Sequence, residues 1–447
     1  MKSLYWSSLL LLLVCGCLLF PSVANSQTTQ TPQPTSATTA QSTVPQSVPP
    51  DYHLSPEQMR RSIALYRTDN VLLVVGTVYS IIVLIAVIVF RFAPWLAAWA
   101  EGVSRRRFVQ AILFLPPLLL LLDVLNLPLS IYGHHISLAY GLSVQGWGSW
   151  FWDWTKGEII GLILGTLLIW LMYAVIRRSP RRWWFYFWLC TLPIILFVVF
   201  LQPVLLDPIF NKFEPLEKTN PELVTQLEKV VHRGGLVIPP SRMFLMKASE
   251  KVTTYNAYVT GIGATKRVVV WDTTARDMTI PETMFVFGHE MGHYVLNHVY
   301  KGLAFFAVMM LIALWLGRKV TLWTLARWGE RWKVTDLGAW ASLPVLMLVL
   351  SVFAFFGQPI GNAFSRYIEH QADIYGLEIT HGLVPNSAQN AALAFQKLGE
   401  KSFAYPYPNR WLVIWTYSHP DISSRYHFAL DYRPWDHGQP NEFVKEN

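Results

Sequence analysis

Two histidines and a glutamate are grouped as His289-Glu290-x-x-His293, just ahead of a long apolar run. Residues four apart lie on one face of a helix, so both imidazoles can reach a single metal ion. Zinc accepts neutral imidazole in tetrahedral geometry, and a catalytic zinc keeps one position for water. Glu290, next to the first histidine, is placed to accept a proton from that water. The pattern therefore predicts a hydrolytic zinc site, with a chance match as the alternative.

Two imidazoles leave this site one protein ligand short. Asn362, Arg366, Glu369 and Asp373 are spaced four, three and four residues apart and form one polar stripe on a predicted helix. Glu369 can complete a His₂Glu site, and Asp373 can accept a hydrogen bond from a ligating imidazole. The alternative is a solvated helix face on which Arg366 and Glu369 form a weak ion pair. The missing ligand favours the metal site, with Arg366 and Asp373 as its supporting residues.

Three other nearby groups fit this site less well. His370 and Glu378 fall off the polar stripe. His298 follows His293 by five residues, about 140° further around a continuing helix. We therefore predict that His298 is structural and is not a ligand.

The elements that must position these residues belong to a strongly apolar chain. Of its 447 residues, 53% are hydrophobic and 14% are charged, whereas soluble domains carry roughly 25% charged residues. The net charge of +8 comes largely from basic loops, which favours a topological role and predicts no nucleic-acid partner. Six apolar segments approach the ~20 residues that cross a bilayer: 71–90, 108–127, 159–176, 183–206, 302–317 and 339–357.

The remaining segments complete the predicted domain organisation. Residues 1–26 are typical of a signal peptide, or of an uncleaved anchor. Residues 27–68 are predicted to be a disordered linker and a short amphipathic lead-in. Four transmembrane helices are expected within 69–206 and two within 301–357. The two polar parts, 207–300 and 358–447, are expected to form the zinc domain, the second part supplying the third ligand and a C-terminal substrate-site block.

Local patterns indicate how the zinc domain folds. Three β-rich runs, 242–247, 256–261 and 267–272, predict short strands. Thr279, with Glu282 three residues later, predicts a capping box that starts the helix carrying the two histidines. The predicted fold is therefore mainly α: a polytopic membrane helical bundle with a zinc domain that contains a small β-sheet.

The distribution of basic residues predicts the orientation. Arginines and lysines are frequent in 91–107, 177–182 and 318–333, whereas 128–158 contains Lys156 alone. The positive-inside rule places the three basic loops in the cytoplasm. We therefore expect a multi-pass protein of a bacterial inner membrane whose zinc domain lies outside the cytoplasm.

At this point the sequence resembles a known family. HEMGH at 289–293 and SRYIEHQAD at 365–373 are similar to the type 1 CAAX prenyl endopeptidases, integral-membrane gluzincins of which the bacterial heat-shock membrane protease is a shorter relative. The resemblance is firm over about 207–430 and looser over 108–206, where Asp153 and Lys156 match an Asp-x-x-Lys stretch. It implies a ring of membrane helices around a hydrated chamber, with one helix more than predicted here. In the eukaryotic relatives the zinc face is cytoplasmic, which opposes the orientation that the basic loops predict.

Further site residues are implied by the resemblance alone. NAY at 256–258 matches a strand whose asparagine hydrogen-bonds the substrate backbone, which implies substrate binding by Asn256 and Ala257. YSHPDISSR matches a Thr-His-Pro block with a downstream arginine. By that match, His419 stabilises the oxyanion and Arg425 orients the site or the substrate.

We therefore expect an integral-membrane zinc metalloendopeptidase with one Zn²⁺ per chain and Glu290 as its general base. Its partners are the lipid bilayer and peptide or protein substrates, including membrane-associated ones, and its role is processing or quality control; no oligomeric state is assigned. One alternative is an enzyme that processes prenylated peptides. The other is a non-proteolytic transporter or receptor whose zinc is structural.

Overall fold

The structure is a computed structural model that describes residues 48–261 and 266–445. The predicted signal or anchor at 1–26, and the predicted linker up to residue 47, lie outside the described residues. Five helices make up the first part of the described chain: α1 (Pro56–Val89), α2 (Phe92–Val103), α3 (Arg107–Ala139), α4 (Trp147–Arg178) and α5 (Trp183–Leu205).

The rest of the chain alternates short elements with two further long helices. Between α5 and the second group of long helices lie α6 (Asp207–Phe210), β1 (Phe213–Pro215), α7 (Leu216–Thr219), α8 (Pro221–Arg233), β2 (Met243–Met246), β3 (Ala257–Thr260), β4 (Arg267–Trp271) and α9 (Asp272–Asp277). They are followed by α10 (Ile280–Val295), α11 (His298–Trp332), α12 (Leu343–Thr380), α13 (Ser387–Ser402), α14 (Arg410–Thr416) and α15 (Ile422–Asp431).

Five helices of the described chain are long and apolar enough to cross a membrane, namely α1, α3, α4, α11 and α12. The remaining predicted segment, 183–206, corresponds to α5, whose apolar stretch Trp183–Val199 is shorter. Two helices reach well beyond the predicted segments. Helix α1 begins at Pro56, inside the region predicted as linker and lead-in, because Ser55 and Gln58 form a capping box there. Helix α11 continues to Trp332, so the predicted basic loop after 317 is largely helical.

The β-strands form one four-stranded sheet in the order β1-β2-β4-β3. Strands β2 and β4 are parallel, while β1 and β3 pair antiparallel at the two edges. All three predicted strands are present, each slightly shorter than its apolar run. A mainly α membrane bundle with a small sheet is therefore confirmed, and β3 offers an edge without a strand partner among the described residues.

Two hydrophobic cores divide the molecule, and α12 belongs to both. Its first turns, including Leu346 and Leu350, are buried in the core formed by the membrane helices. Its last turns, including Tyr375 and Ile379, are buried in a second core with α8, α10, α13 and the sheet. Helix α12 therefore carries the polar stripe from the membrane bundle directly into the zinc domain.

The chain ahead of α1 lies on this second domain. Tyr426 donates a hydrogen bond from its hydroxyl to the Pro49 carbonyl, at 2.6 Å. Tyr52 is buried, and its hydroxyl donates to the Ala404 carbonyl at 2.9 Å. We call residues 48–55 the N-terminal strap, because they connect the start of the first membrane helix to the domain that carries the predicted zinc ligands.

Candidate metal centre and active site

The helix that carries the first two predicted ligands is fixed at its start by the predicted capping box. Thr279 Oγ1 accepts a hydrogen bond from the Glu282 backbone, and Glu282 Oε2 accepts one from the Thr279 backbone at 2.7 Å. Lys397 donates to the same Glu282 oxygen at 2.7 Å. The cap satisfies backbone donors that the first turn of a helix leaves free, and it joins α10 to α13.

Helices α10 and α12 cross at close range, at positions where glycine provides the room. A methyl group added at Gly376 would lie 3.0 Å from the His289 backbone nitrogen. One added at Gly288 would lie 2.7 Å from Ile379 Cγ2. Since a larger residue would push the helices apart, these glycines determine how near the histidines of α10 come to the stripe of α12.

The crossing brings the three predicted ligands together. His289 Nε2 and His293 Nε2 lie 3.1 Å apart. Glu369 Oε2 lies 3.3 Å from His289 Nε2, and Glu369 Oε1 lies 3.5 Å from His293 Nε2. Glu369 is only 3% exposed, so an ionised carboxylate there requires compensating positive charge.

Each of the two histidines is held through its other ring nitrogen. His289 Nδ1 lies 2.8 Å from Asp373 Oδ1, the contact predicted from the stripe. His293 Nδ1 lies 3.0 Å from His298 Nδ1. Such partners select the tautomer and orient the ring of a metal ligand. Both Nε2 atoms can therefore present their lone pairs to the same point.

Helix periodicity did not predict the contact made by His298, because α10 ends before it. Asn297 adopts a left-handed conformation, with φ of 59°, and α11 begins at His298. The chain turns back at this residue, so His298 is not 140° around the same helix. Asparagine tolerates positive φ better than most residues, and Asn297 after the apolar turn is the signal that could have indicated the break.

Arg425 and His419 close the site from the C-terminal segment. Arg425 donates to both oxygens of Asp373, at 2.8 Å from Nε and 2.6 Å from Nη2. His419 Nε2 lies 3.3 Å from Glu369 Oε1. The structure therefore brings His419 and Arg425, implied by the resemblance, together with the residues predicted from spacing, although they lie on separate segments.

Arg366 lies on the predicted stripe of α12, and its hydrogen bonds go to the backbone around the end of α14. Its Nη1 donates to the carbonyls of Val413 and Tyr417, at 3.0 and 2.6 Å. Asn362 donates to the Trp415 carbonyl at 2.6 Å. Within the described residues, Arg366 makes no hydrogen bond to a predicted ligand, because its side chain reaches the end of α14 instead.

Electrostatics favour a cation at this centre. Burial lowers the pKa of His289, but the carboxylates of Asp373 and Glu369 outweigh it and raise the pKa to about 10. Burial raises the pKa of the Glu290 carboxyl, against the opposing effect of the two histidines. The His419 side chain is 40% exposed, and its partial burial lowers its pKa, which favours the neutral imidazole.

The donor set fits a metal ion. The nitrogens of His289 and His293 and a Glu369 oxygen all lie within 4.8 Å of one another. Glu369 Oε2 is buried and makes no hydrogen bond to any residue of the described chain. Two imidazoles and one carboxylate are ligands typical of catalytic zinc, and a cation between them would compensate the buried acceptor.

The predicted substrate-binding residues lie on the edge strand. Ala257 begins β3 and pairs with Val270 of β4. Asn256, immediately before it, is buried, and its backbone is fixed by Thr274, which lies 2.7 Å from the Asn256 nitrogen. Strand β3 packs against α10, the helix that carries Glu290.

The remaining residues singled out in the sequence have structural contacts. Glu378 is fully buried and accepts hydrogen bonds from the Tyr432 hydroxyl and from the backbone of the C-terminal segment. His370 is exposed and its ring contacts that of Phe428 at a tilt, with ring centroids 4.5 Å apart. Asp153 pairs with Lys156 at 2.7 Å, and also with a lysine that the sequence did not indicate, Lys251. The Asp153 cluster joins the start of α4 to the zinc domain.

The fold and the site together define a membrane-embedded metalloprotease. Residues 36–212 match the protein-family model described as the CAAX prenyl protease N-terminal region with five membrane helices. Residues 217–433 match the family model of peptidase family M48. An uncharacterised metalloprotease of Bacillus subtilis (strain 168), YhfN, is 33% identical over 85% of this chain and 87% of its own length. The chain therefore belongs to peptidase family M48.

Two other similarities extend over most of the molecule. A CAAX prenyl protease 1 homolog of Oryza sativa is 25% identical over 83% of this chain and 87% of its own length. The crystal structure of Ste24p from S. mikatae has the same fold, with a TM-score of 0.73 and 23% identity over 85% of this chain and 90% of that one. The protein is thus a multi-pass membrane zinc metalloprotease, and a non-proteolytic transporter or receptor is not favoured.

Proposed function

We propose that His289, His293 and Glu369 bind one Zn²⁺ per chain and that this centre hydrolyses peptide bonds. The observation that carries the proposal is the convergence of the two Nε2 atoms on the buried Glu369 carboxylate, whose Oε2 has no hydrogen bond in the described chain. Zinc, when bound, polarises a carbonyl and lowers the pKa of a coordinated water.

The protein groups around the ion would transfer the proton, stabilise the oxyanion and orient a ligand. Glu290 accepts the proton of the attacking water and returns it to the leaving amine, a role suited to a carboxyl whose pKa is raised by burial. His419, neutral and partly exposed, donates to the developing oxyanion, a contribution of about 3 kcal/mol for one donor. Asp373, held by Arg425, accepts the Nδ1 proton of His289 and keeps its Nε2 free for the metal.

The substrate backbone is proposed to add to the outer edge of β3, which has no strand partner among the described residues. An extended peptide beside an edge strand gains main-chain hydrogen bonds with little dependence on its side chains. Asn256 and Ala257 occupy the start of that edge, next to α10. This arrangement suits peptide and protein substrates, including segments drawn from the membrane.

The test is Glu290→Gln in the full-length, detergent-purified protein, with cleavage of a fluorogenic peptide and zinc content measured together. We expect zinc to remain near one ion per chain while cleavage is lost. Glu217→Gln, on the exposed surface of α7, is the control and should cleave normally. Undiminished cleavage by Glu290→Gln would exclude the proposed mechanism.

A narrower activity on prenylated peptides is a second candidate, since the Oryza sativa relative is named as a CAAX prenyl protease 1 homolog. Paired assays on one peptide, with and without a farnesyl group on its cysteine, separate the two. A large preference for the farnesylated peptide would support the narrow activity. Equal rates would support general peptide or membrane-protein processing.

We also propose that the zinc domain lies outside the cytoplasm of a bacterial cell. The N-terminal strap supports this, since its contacts with α13 and α15 put the start of α1 on the same side as the zinc domain. A cleaved signal and an uncleaved anchor with Lys2 in the cytoplasm both deliver the strap to the outside. Reporter fusions after Asn447 test it, and a cytoplasmic-only signal would contradict it.

A further inference from the structure

Helix α14 leads directly into the segment that carries His419, yet its own side chains bury little. It has seven residues, none of them buried, and Trp411 is 77% exposed. Its start is capped by Asn409, whose side chain accepts a hydrogen bond from the Trp411 nitrogen at 2.9 Å. Trp415 packs against Phe355 of α12, with ring centroids 5.0 Å apart, but no residue of α14 is fully buried, unlike those where α10 and α12 cross.

The other end of α14 is held by hydrogen bonds from α12. The last carbonyls of a helix lack partners within the helix, and basic side chains commonly bind them. Arg366 donates to the carbonyls of Val413 and Tyr417, and Asn362 donates to that of Trp415. Arg366 also donates to the Ile414 carbonyl at 3.4 Å, so four carbonyls around the end of this short helix are attached to one face of α12.

The same face of α12 continues into the metal centre. Asn362, Arg366 and Glu369 follow at intervals of four and three residues, so they project on one side. Tyr417, which Arg366 binds, is two residues before His419, and the His419 ring reaches Glu369 at 3.3 Å. One rigid helix therefore sets both the carboxylate ligand and the backbone that presents the imidazole.

We infer that Arg366, assisted by Asn362, is a positioning residue that sets the distance between His419 and the reacting carbonyl. The inference rests on the proposed function, in which His419 donates to the oxyanion. A donor displaced by about 1 Å loses much of its effect on the transition state. Arg366 acts through the α14 backbone and does not itself contact substrate or metal.

The test is a double-mutant cycle on kcat with Arg366→Gln and His419→Ala. We expect Arg366→Gln to lower kcat by roughly ten- to a hundredfold, with KM and zinc content little changed. His419→Ala should lower kcat by about a hundredfold or more. If Arg366 acts through His419, the double variant cleaves no more slowly than His419→Ala alone.

Two further variants make the cycle specific. Arg410→Gln removes an exposed arginine from the opposite end of α14 and should leave kcat unchanged. Asn362→Ala removes one bond only and should give a smaller loss that also disappears in the His419→Ala background. This second cycle keeps the inference testable if Arg366→Gln folds poorly.

The outcomes separate this inference from the proposed function. The positioning role would be overturned if the losses in kcat caused by Arg366→Gln and His419→Ala multiplied in the double variant. It would also be overturned if Arg366→Gln lost its zinc. Normal cleavage by Glu290→Gln would instead overturn the proposed function itself. Normal kcat for His419→Ala would remove the oxyanion role of His419, and the inference with it.

Discussion

The two halves of the active site are held in place by different forces. The metal half lies where α10 and α12 cross at Gly288 and Gly376, with almost every neighbouring side chain buried. The other half, around His419, follows a helix that has no fully buried residue and that is attached to α12 by hydrogen bonds and by the contact of Trp415 with Phe355. Close packing fixes a distance at many contacts at once, whereas a few hydrogen bonds fix it at single atoms. The metal half should therefore fail by losing stability and zinc, and the other half by losing rate.

The largest effect is expected from the group that transfers the proton. Glu290→Gln keeps the shape of the side chain but removes the base, so kcat should fall by about 10²- to 10⁴-fold. Zinc content and thermal stability should stay near those of the unmodified protein, as measured by metal analysis and thermal unfolding in detergent. Parallel loss of zinc would place Glu290 in the metal half as a structural residue.

Overpacking the helix crossing should have the next largest effect. Gly376→Ala places a methyl group 3.0 Å from the His289 backbone nitrogen, and we expect a loss of about 1–3 kcal/mol in stability together with weaker zinc binding. Gly357→Ala is the matched control on the same helix, since its methyl group would meet only Met309 Cε at 3.9 Å. Equal zinc affinities for the two variants would show that packing at the helix crossing does not determine the geometry of the metal half.

A smaller effect is expected from the partner of the second histidine. His298→Ala removes the group 3.0 Å from His293 Nδ1, and zinc affinity should fall by about tenfold to a hundredfold. His370→Ala removes an exposed histidine that contacts Phe428, and this variant should bind zinc normally. Competition with a chromogenic chelator measures both, and identical affinities would limit His298 to a structural role.

The smallest expected effect concerns the N-terminal strap and depends on pH. His427 Nε2 lies 2.7 Å from Asp51 Oδ1, and this hydrogen bond raises the pKa of His427. A folded-state pKa above the unfolded value of about 6.5 stabilises the protein below that pH, and the stabilisation is lost as pH rises through the folded pKa. Both side chains are largely exposed, so Asp51→Asn should cost only about 0.2–1 kcal/mol at pH 6.

Thermal unfolding of Asp51→Asn and the unmodified protein at pH 6 and pH 9 checks this. The difference between them should shrink at the higher pH. A difference that grows with pH would contradict the assigned ion pair.

Local sequence patterns predicted many of the candidate site residues because zinc chemistry restricts both residue type and spacing. The four-residue interval of His289 and His293 needs only a helix, and the Thr279 capping box specifies where that helix begins. Glu369 and Asp373 could be predicted for the same reason, because they are neighbours on one polar stripe. The contacts of His298 and Arg366 could not be predicted in this way. The helix breaks at Asn297, just before His298, and Arg366 binds the end of a neighbouring helix.

The sequence by itself determined the apolar segments, the capped helix, the short strands and the identity of the proposed metal donors. These follow from interactions between residues a few positions apart, which a linear pattern records. Only the tertiary structure decided how closely α10 and α12 approach, which partner each imidazole has, and which helix end Arg366 caps. Those choices depend on contacts between residues far apart in the chain, where shape complementarity and the satisfaction of buried polar groups select one arrangement.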